Sequence, residues 1–183
     1  MQPRSVVYVS RITNLSDARY CAGMGVDIIG FVVDPTHPDY VSPQAYQEMV
    51  GWISGPKRAI ELITLPATDI NATIALYLPD YIHVDQATAT HLKSSGTPWL
   101  VEIHPDKGRV QLKPGLAAFQ IAGVEQMDLT DPSIPRLVIL NDVAQIPTDV
   151  AGIALKGTKE ISPGLKDYDH LSTILEQLEN RND

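Results

Sequence analysis

Eight short apolar, β-branched runs recur along the chain, and helical patterns separate many of them. The runs are VVYVSRI (6–12), IIGFVV (28–33), RAIELI (58–63), YIHVD (81–85), WLVEIH (99–104), AAFQIA (117–122), RLVILN (136–141) and GIALKG (152–157). Runs of this length and composition read as strands covered on both faces. Between the second and third, SPQAYQEMVGWI is the clearest helix. Ser42 can cap it, Pro43 occupies its first turn, and Tyr46, Met49, Val50 and Ile53 fall on one face. Segments 16–24, 68–78, 87–95 and 168–179 also read as helical. Strands alternating with helices eight times over predict an α/β fold, a (β/α)8 TIM barrel, as one domain spanning residues 1–183. An open doubly wound sheet would call for a glycine-rich first turn, and SRITNLSDA contains no glycine.

The second half is thinner. The connections PDKGRVQLKPG, GVEQMDLTDPSIP and DVAQIPTD are short and interrupted by proline, so shortened helices and connections are expected there. At 183 residues the chain falls well below the roughly 250 typical of such barrels. A second copy of the chain against this thin wall, as a homodimer, is among the expected partners.

A net charge of −8 argues against nucleic acid and anionic membranes as partners. The single Cys21 excludes an internal disulfide and a cysteine-rich zinc site, and its apolar neighbours Ala18 and Ala22 place it in the core. No run approaches 18 apolar residues, and MQPRSVVYVS leads straight into the first strand. A cytoplasmic protein without membrane span or signal peptide is the expectation.

Strand residues facing the helices of a barrel must be apolar, so polar strand residues are expected to point into the lumen or its mouth. This places Tyr8 and Ser10 together on the first strand, Glu61 on the third, His83 and Asp85 on the fourth, and Glu102 and His104 on the fifth. Gln120 and Lys156 join them from the sixth and eighth. Two histidines and two carboxylates on adjacent strands suit a small-molecule site, a divalent cation, or a polar network that satisfies itself. No metal or cofactor is assigned. Lys156, Gly157 and Thr158, with Lys159, could attract an anion. Arg11 could clamp one at the mouth or pair with Asp34, Asp39 or Asp142.

Two stretches carry a resemblance. ITNLSDARYCAGMGVDIIGFVVDPTHPDYVSP is similar to the front of phosphoribosylanthranilate isomerases, and GIALKGTKEISPGLKDYDHL resembles their end, with Ser162, Pro163, Gly164, Lys166 and Asp167 at matching spacing. The resemblance implies a barrel enzyme of tryptophan biosynthesis that carries out an Amadori rearrangement. It implies a cysteine base on the first strand, an aspartate acid at the end of the sixth, an arginine for the anthranilate carboxylate, and glycine-rich turns for the phosphate.

Against that pattern Tyr8 stands for lysine, Ser10 for the base cysteine, Arg11 for glycine and Asp39 for the arginine. Asn141, Asp142 and Val143 replace a glycine turn, and Ala122 falls where the acid is expected, with Asp128 the nearest carboxylate. A serine hydroxyl needs a neighbouring base before it can act. The expectation is therefore a diverged, isomerase-like chain whose ancestral activity is lost or altered, with Ser10 and Asp128 as the catalytic candidates if any activity persists. Arg11, Asp39, Asn141, Lys156, Gly157, Thr158, His83, Asp85, Glu102 and His104 are the candidates for binding a small ligand.

Overall fold

A computed structural model describes residues 5–62, 70–91, 96–109, 111–112, 115–140, 149–157, 160–162, 165–166 and 172–177. All eight expected strands form: β1 (Val6–Ser10), β2 (Ile28–Val32), β3 (Lys57–Glu61), β4 (Tyr81–Asp85), β5 (Trp99–Glu102), β6 (Ala117–Gly123), β7 (Arg136–Ile139) and β8 (Gly152–Lys156). They pair in chain order, all parallel, into a closed barrel. The ring is sealed by β1 against β8, from Val6 opposite Gly152 to Ser10 opposite Lys156. The fold is the expected TIM barrel.

Helices α1 (Leu15–Gly23), α2 (Pro43–Val50), α3 (Ile70–Tyr77) and α4 (Gln86–His91) follow the first four strands. Three of the starts have a local cause among the described residues. The Asn14 side chain accepts the Asp17 amide, and Ser42 accepts the Ala45 amide ahead of Pro43. Asp85 ends β4 and accepts the Thr88 amide at 2.6 Å, capping α4. After β5 and β6, among the described residues, only 3₁₀ turns follow, at Pro105–Lys107 and Val124–Leu129, as the proline-broken connections predict. Residues 172–177 are helical, with Ile174 and Leu175 buried. A small antiparallel pair, β9 (Glu160–Ser162) with β10 (Leu165–Lys166), lies outside the barrel and was not anticipated. Among the described residues, no helix is long and apolar enough to cross a membrane.

Two apolar layers result. Outside the sheet, Val7, Val9, Ile29, Phe31, Ile60, Ile82, Val84, Trp99, Val101, Val138 and Ile153 pack under the helices, together with buried Cys21. Inside, Tyr8, Ile28, Ala59, Leu100, Ile121, Leu137 and Ala154 fill the lumen. The polar residues at the ends of the strands therefore rest on a packed plug, at the end of the barrel where such folds keep their sites.

At the β1–β8 seam a Cβ on Gly152 would overlap the carbonyl of Val6, so the ring closes only around a residue without a side chain. Gly152→Ala is expected to lower stability by about 1–3 kcal/mol. Gly23→Ala, whose Cβ would meet nothing within 4 Å, should be neutral or stabilising by about 0.5–1 kcal/mol. Urea-unfolding midpoints of the two variants check the contrast, and equal shifts would refute it.

Candidate functional site

The inward faces of β1, β3, β4 and β5 bring Tyr8, Glu61, His83 and Glu102 into one cluster. The Tyr8 hydroxyl lies 2.9 Å from His83 Nδ1, with the Glu61 carboxyl beside it. His83 Nδ1 is 3.7 Å from Glu61 Oε2, and His83 Nε2 is 3.2 Å from Glu102 Oε2. The side chains of His83, Glu61 and Glu102 are 4%, 2% and 12% exposed. Room for the cluster comes from Gly30 on β2, where a Cβ would overlap the Tyr8 hydroxyl and crowd Glu61.

Glu61 does a second task. Its Oε1 accepts the backbone N–H of Arg11 at 2.7 Å. Arg11 has φ 59°, a left-handed conformation that a non-glycine residue holds only under constraint. The carboxylate supplies that constraint, turning the chain away from β1 and into the mouth. The Arg11 guanidinium reaches Asp39 at 3.7 Å, so the ion-pair alternative for Arg11 is realised and both candidates sit together.

Burial pushes the Tyr8 hydroxyl well above its ordinary range, helped by the negative charges of Glu61 and Glu102, so it remains a neutral donor. Burial also raises the Glu61 carboxyl, only partly offset by His83 and by the Arg11 amide. At Glu102 burial acts upward too, yet the His83 ring, His104 and Lys156 outweigh it and hold the carboxyl below its usual range. Two carboxyls thus flank one imidazole with their affinities for protons pushed apart.

The remaining candidates divide. Ser10 is buried and its hydroxyl donates to the Leu155 carbonyl at 3.3 Å. It lines a cavity of about 10 Å³ with Tyr8, His83, Glu102, Ile121, Ile139, Ala154, Leu155 and Lys156. Gly157 joins β8 to β1 through its amide, which donates to the Ser10 carbonyl at 2.7 Å. Asp85 is engaged in capping α4. His104 lies at the rim, half-buried, close enough to act on Glu102, while its amide donates to Gln86 Oε1. The expected four-residue set of His83, Asp85, Glu102 and His104 is thus replaced by one centred on His83 with Tyr8, Glu61 and Glu102. Among the described residues, no three His, Cys, Asp or Glu side chains could hold a metal ion. Asn141 and Thr158 lie outside the described residues.

Three expectations need correction. Asp128 is exposed on the 3₁₀ turn after β6 and does not line the cavity, so it is not brought to Ser10. Ala122 faces the outer core, and Ile121 is the neighbouring residue that looks into the lumen. Gln120 likewise points outward. Its amide accepts the Asp131 N–H at 2.9 Å and donates to the Asp131 carbonyl at 2.8 Å. The outward face is polar there because a turn, not a helix, covers β6, and the turn's backbone needs partners.

The opposed carboxyls give opposite pH signatures. A carboxyl that holds its proton more tightly when folded costs stability as pH rises from the unfolded value, about 4.3, through the folded one. Glu61→Gln removes that cost, so the variant should gain on the parent protein over this rise. Glu102, held low when folded, contributes stability that is complete above about pH 4.3 and is lost as pH falls from there through its folded value, so Glu102→Gln should lose ground on the parent protein over the rise that ends there. Chemical denaturation from acid to neutral pH reads both slopes. Parallel slopes would contradict the assignment.

No protein-family model matches the chain, and no curated protein matches it in sequence. Solved structures do match it in shape. The phosphoribosyl anthranilate isomerase of Thermus thermophilus superposes with a TM-score of 0.71 at 16% identity, over 96% of this chain and 99% of that one. TrpF of Jonesia denitrificans gives 0.70 at 14% identity, over 96% and 97%. The N-(5'-phosphoribosyl)anthranilate isomerase of Pyrococcus furiosus gives 0.69 at 15%, over 96% and 99%. Across nearly its whole length, at low sequence identity, this chain has the fold of phosphoribosylanthranilate isomerases.

Proposed function

We propose that this chain is an isomerase-like barrel that binds a small molecule at its C-terminal mouth and has lost the Amadori rearrangement of phosphoribosylanthranilate. The observation that carries the reading is Ser10. At the position where the resemblance puts the base, the hydroxyl hydrogen goes to the Leu155 carbonyl, not to a base. Three features support it. Ile121, not a carboxyl, faces the lumen on β6. The Arg11 guanidinium is paired with Asp39. The space between Ser10, His83 and Glu102 is about 10 Å³, enough for one water-sized group.

One observation favours a second reading, in which proton-transfer chemistry persists on relocated groups. Glu61 and Glu102 are pushed in opposite directions on either side of His83, an arrangement that separates an acid from a base.

The purified protein is expected to give no turnover of phosphoribosylanthranilate above background and no growth of a tryptophan auxotroph lacking the isomerase. Ser10→Cys alone should not restore either. Turnover in the parent protein would overturn the first reading, and its loss in His83→Gln would establish the second.

A further inference from the structure

Opposite the mouth, where the barrel strands begin, the chain encloses a far larger space. It is a cavity of about 400 Å³, within the roughly 300–1,000 Å³ of small-molecule sites. Its wall includes the first residues of β1 to β4, which are Val6, Ile28, Lys57 and Tyr81. Ile28, Tyr81 and Phe119 make an apolar floor that belongs to the inner layer of the barrel. The two rings meet edge to face, with their centroids 6.5 Å apart. The lip is formed by the loops that lead into β2 and β3. Each turns at an exposed glycine in the left-handed region, Gly25 with φ 72° and Gly55 with φ 107°. A Cβ on Gly55 would meet nothing within 4 Å, so the lip is open there.

One polar group in the wall is fixed in place. Asp27 Oδ2 accepts the Val7 amide at 2.8 Å. The Asp27 amide donates to the Val7 carbonyl at 3.0 Å, and its carbonyl accepts the Lys57 amide at 2.8 Å. Tied in this way to β1 and β3, the carboxylate keeps Oδ1 without a hydrogen-bond partner among the described residues. Lys57 is drawn aside, with Nζ 3.6 Å from Asp80 Oδ1. An ionised carboxylate only accepts, and its strongest partner is an N–H that carries positive charge. The net charge of −8 on the chain favours a cation as well, and the ring floor suits a flat aromatic body. We propose that the base of the barrel binds a planar aromatic cation with an N–H edge, such as an amidine or an aminoheterocycle. Its ring lies on Ile28, Tyr81 and Phe119, and its N–H donates to Asp27. No group of the mouth takes part, so this site stands or falls apart from the reading of Ser10 and His83.

Benzamidine hydrochloride titrated into the full chain at neutral pH, followed by backbone amide resonances, tests the proposal. Saturable shifts are expected at Gly25, Asp27, Gly55 and Lys57, with none at Ser10 or Gly157 at the mouth. Phenyltrimethylammonium has the same charge without an N–H, and acetamidine has the N–H edge without a ring. Each should bind at least about tenfold more weakly than benzamidine. Asp27→Asn keeps an oxygen for the Val7 amide but turns an NH2 group to the cavity, and should weaken binding about tenfold. Ala22→Leu keeps a good helix former in α1 while filling the cavity, and should abolish binding. Shifts confined to the mouth, equal binding of either control, or undiminished affinity in Asp27→Asn overturns the proposal. If that variant does not fold, undiminished affinity in Ala22→Leu is equally fatal. Base resonances that move with protein concentration alone, without benzamidine, assign the cavity to a second copy of the chain and also overturn it.

Discussion

Closure of the sheet by β8 against β1 is the constraint from which the rest follows. Five residue pairs run along that seam, from Val6 and Gly152 to Ser10 and Lys156. A closed parallel sheet has no free edge and has two unlike faces: an outer one covered by helices and an inner one that only side chains can fill. Every inward residue must find partners among seven other strands. Near the base of the barrel, Ile28, Ala59, Leu100 and Leu137 do this by apolar packing. Toward the mouth the inward residues become Glu61, His83, Glu102 and Ser10, and packing no longer suffices.

Glu61 meets that requirement for its surroundings. One carboxylate lies beside the Tyr8 hydroxyl and His83 and fixes the Arg11 amide in a left-handed turn. Burying such a group costs free energy, which is why its carboxyl is raised. The lack of a side chain at Gly30 admits the arrangement. Stability and site are coupled here, because the group that costs stability also lies against His83 in the mouth.

The eight strands were legible because each is a short apolar run between breakers, and α2 because Ser42 and Pro43 mark its start. The thin second half was legible too, as proline excludes long helices between β5 and β7. Inward parity identified Tyr8, Ser10, Glu61, His83 and Glu102. It failed at Gln120, since the rule assumes an apolar helix outside every strand and a polar turn lies outside β6. It also could not separate Asp85, which caps a helix, from Glu61, which holds the lumen together. Both are acidic residues that end their strands.

By itself the sequence determined the strand count, the order of elements, the end of the barrel where polar residues gather, and which strand faces carry them. These depend on local periodicity and on breakers, which act within a few residues. Only the tertiary structure decided that Tyr8 and Glu61 complete the His83 cluster in place of Asp85 and His104, that Arg11 turns left-handed to meet Asp39, and that Ala122 and Gln120 look outward. Those outcomes depend on the stagger between strands around a closed ring, and no single segment of the chain carries that information.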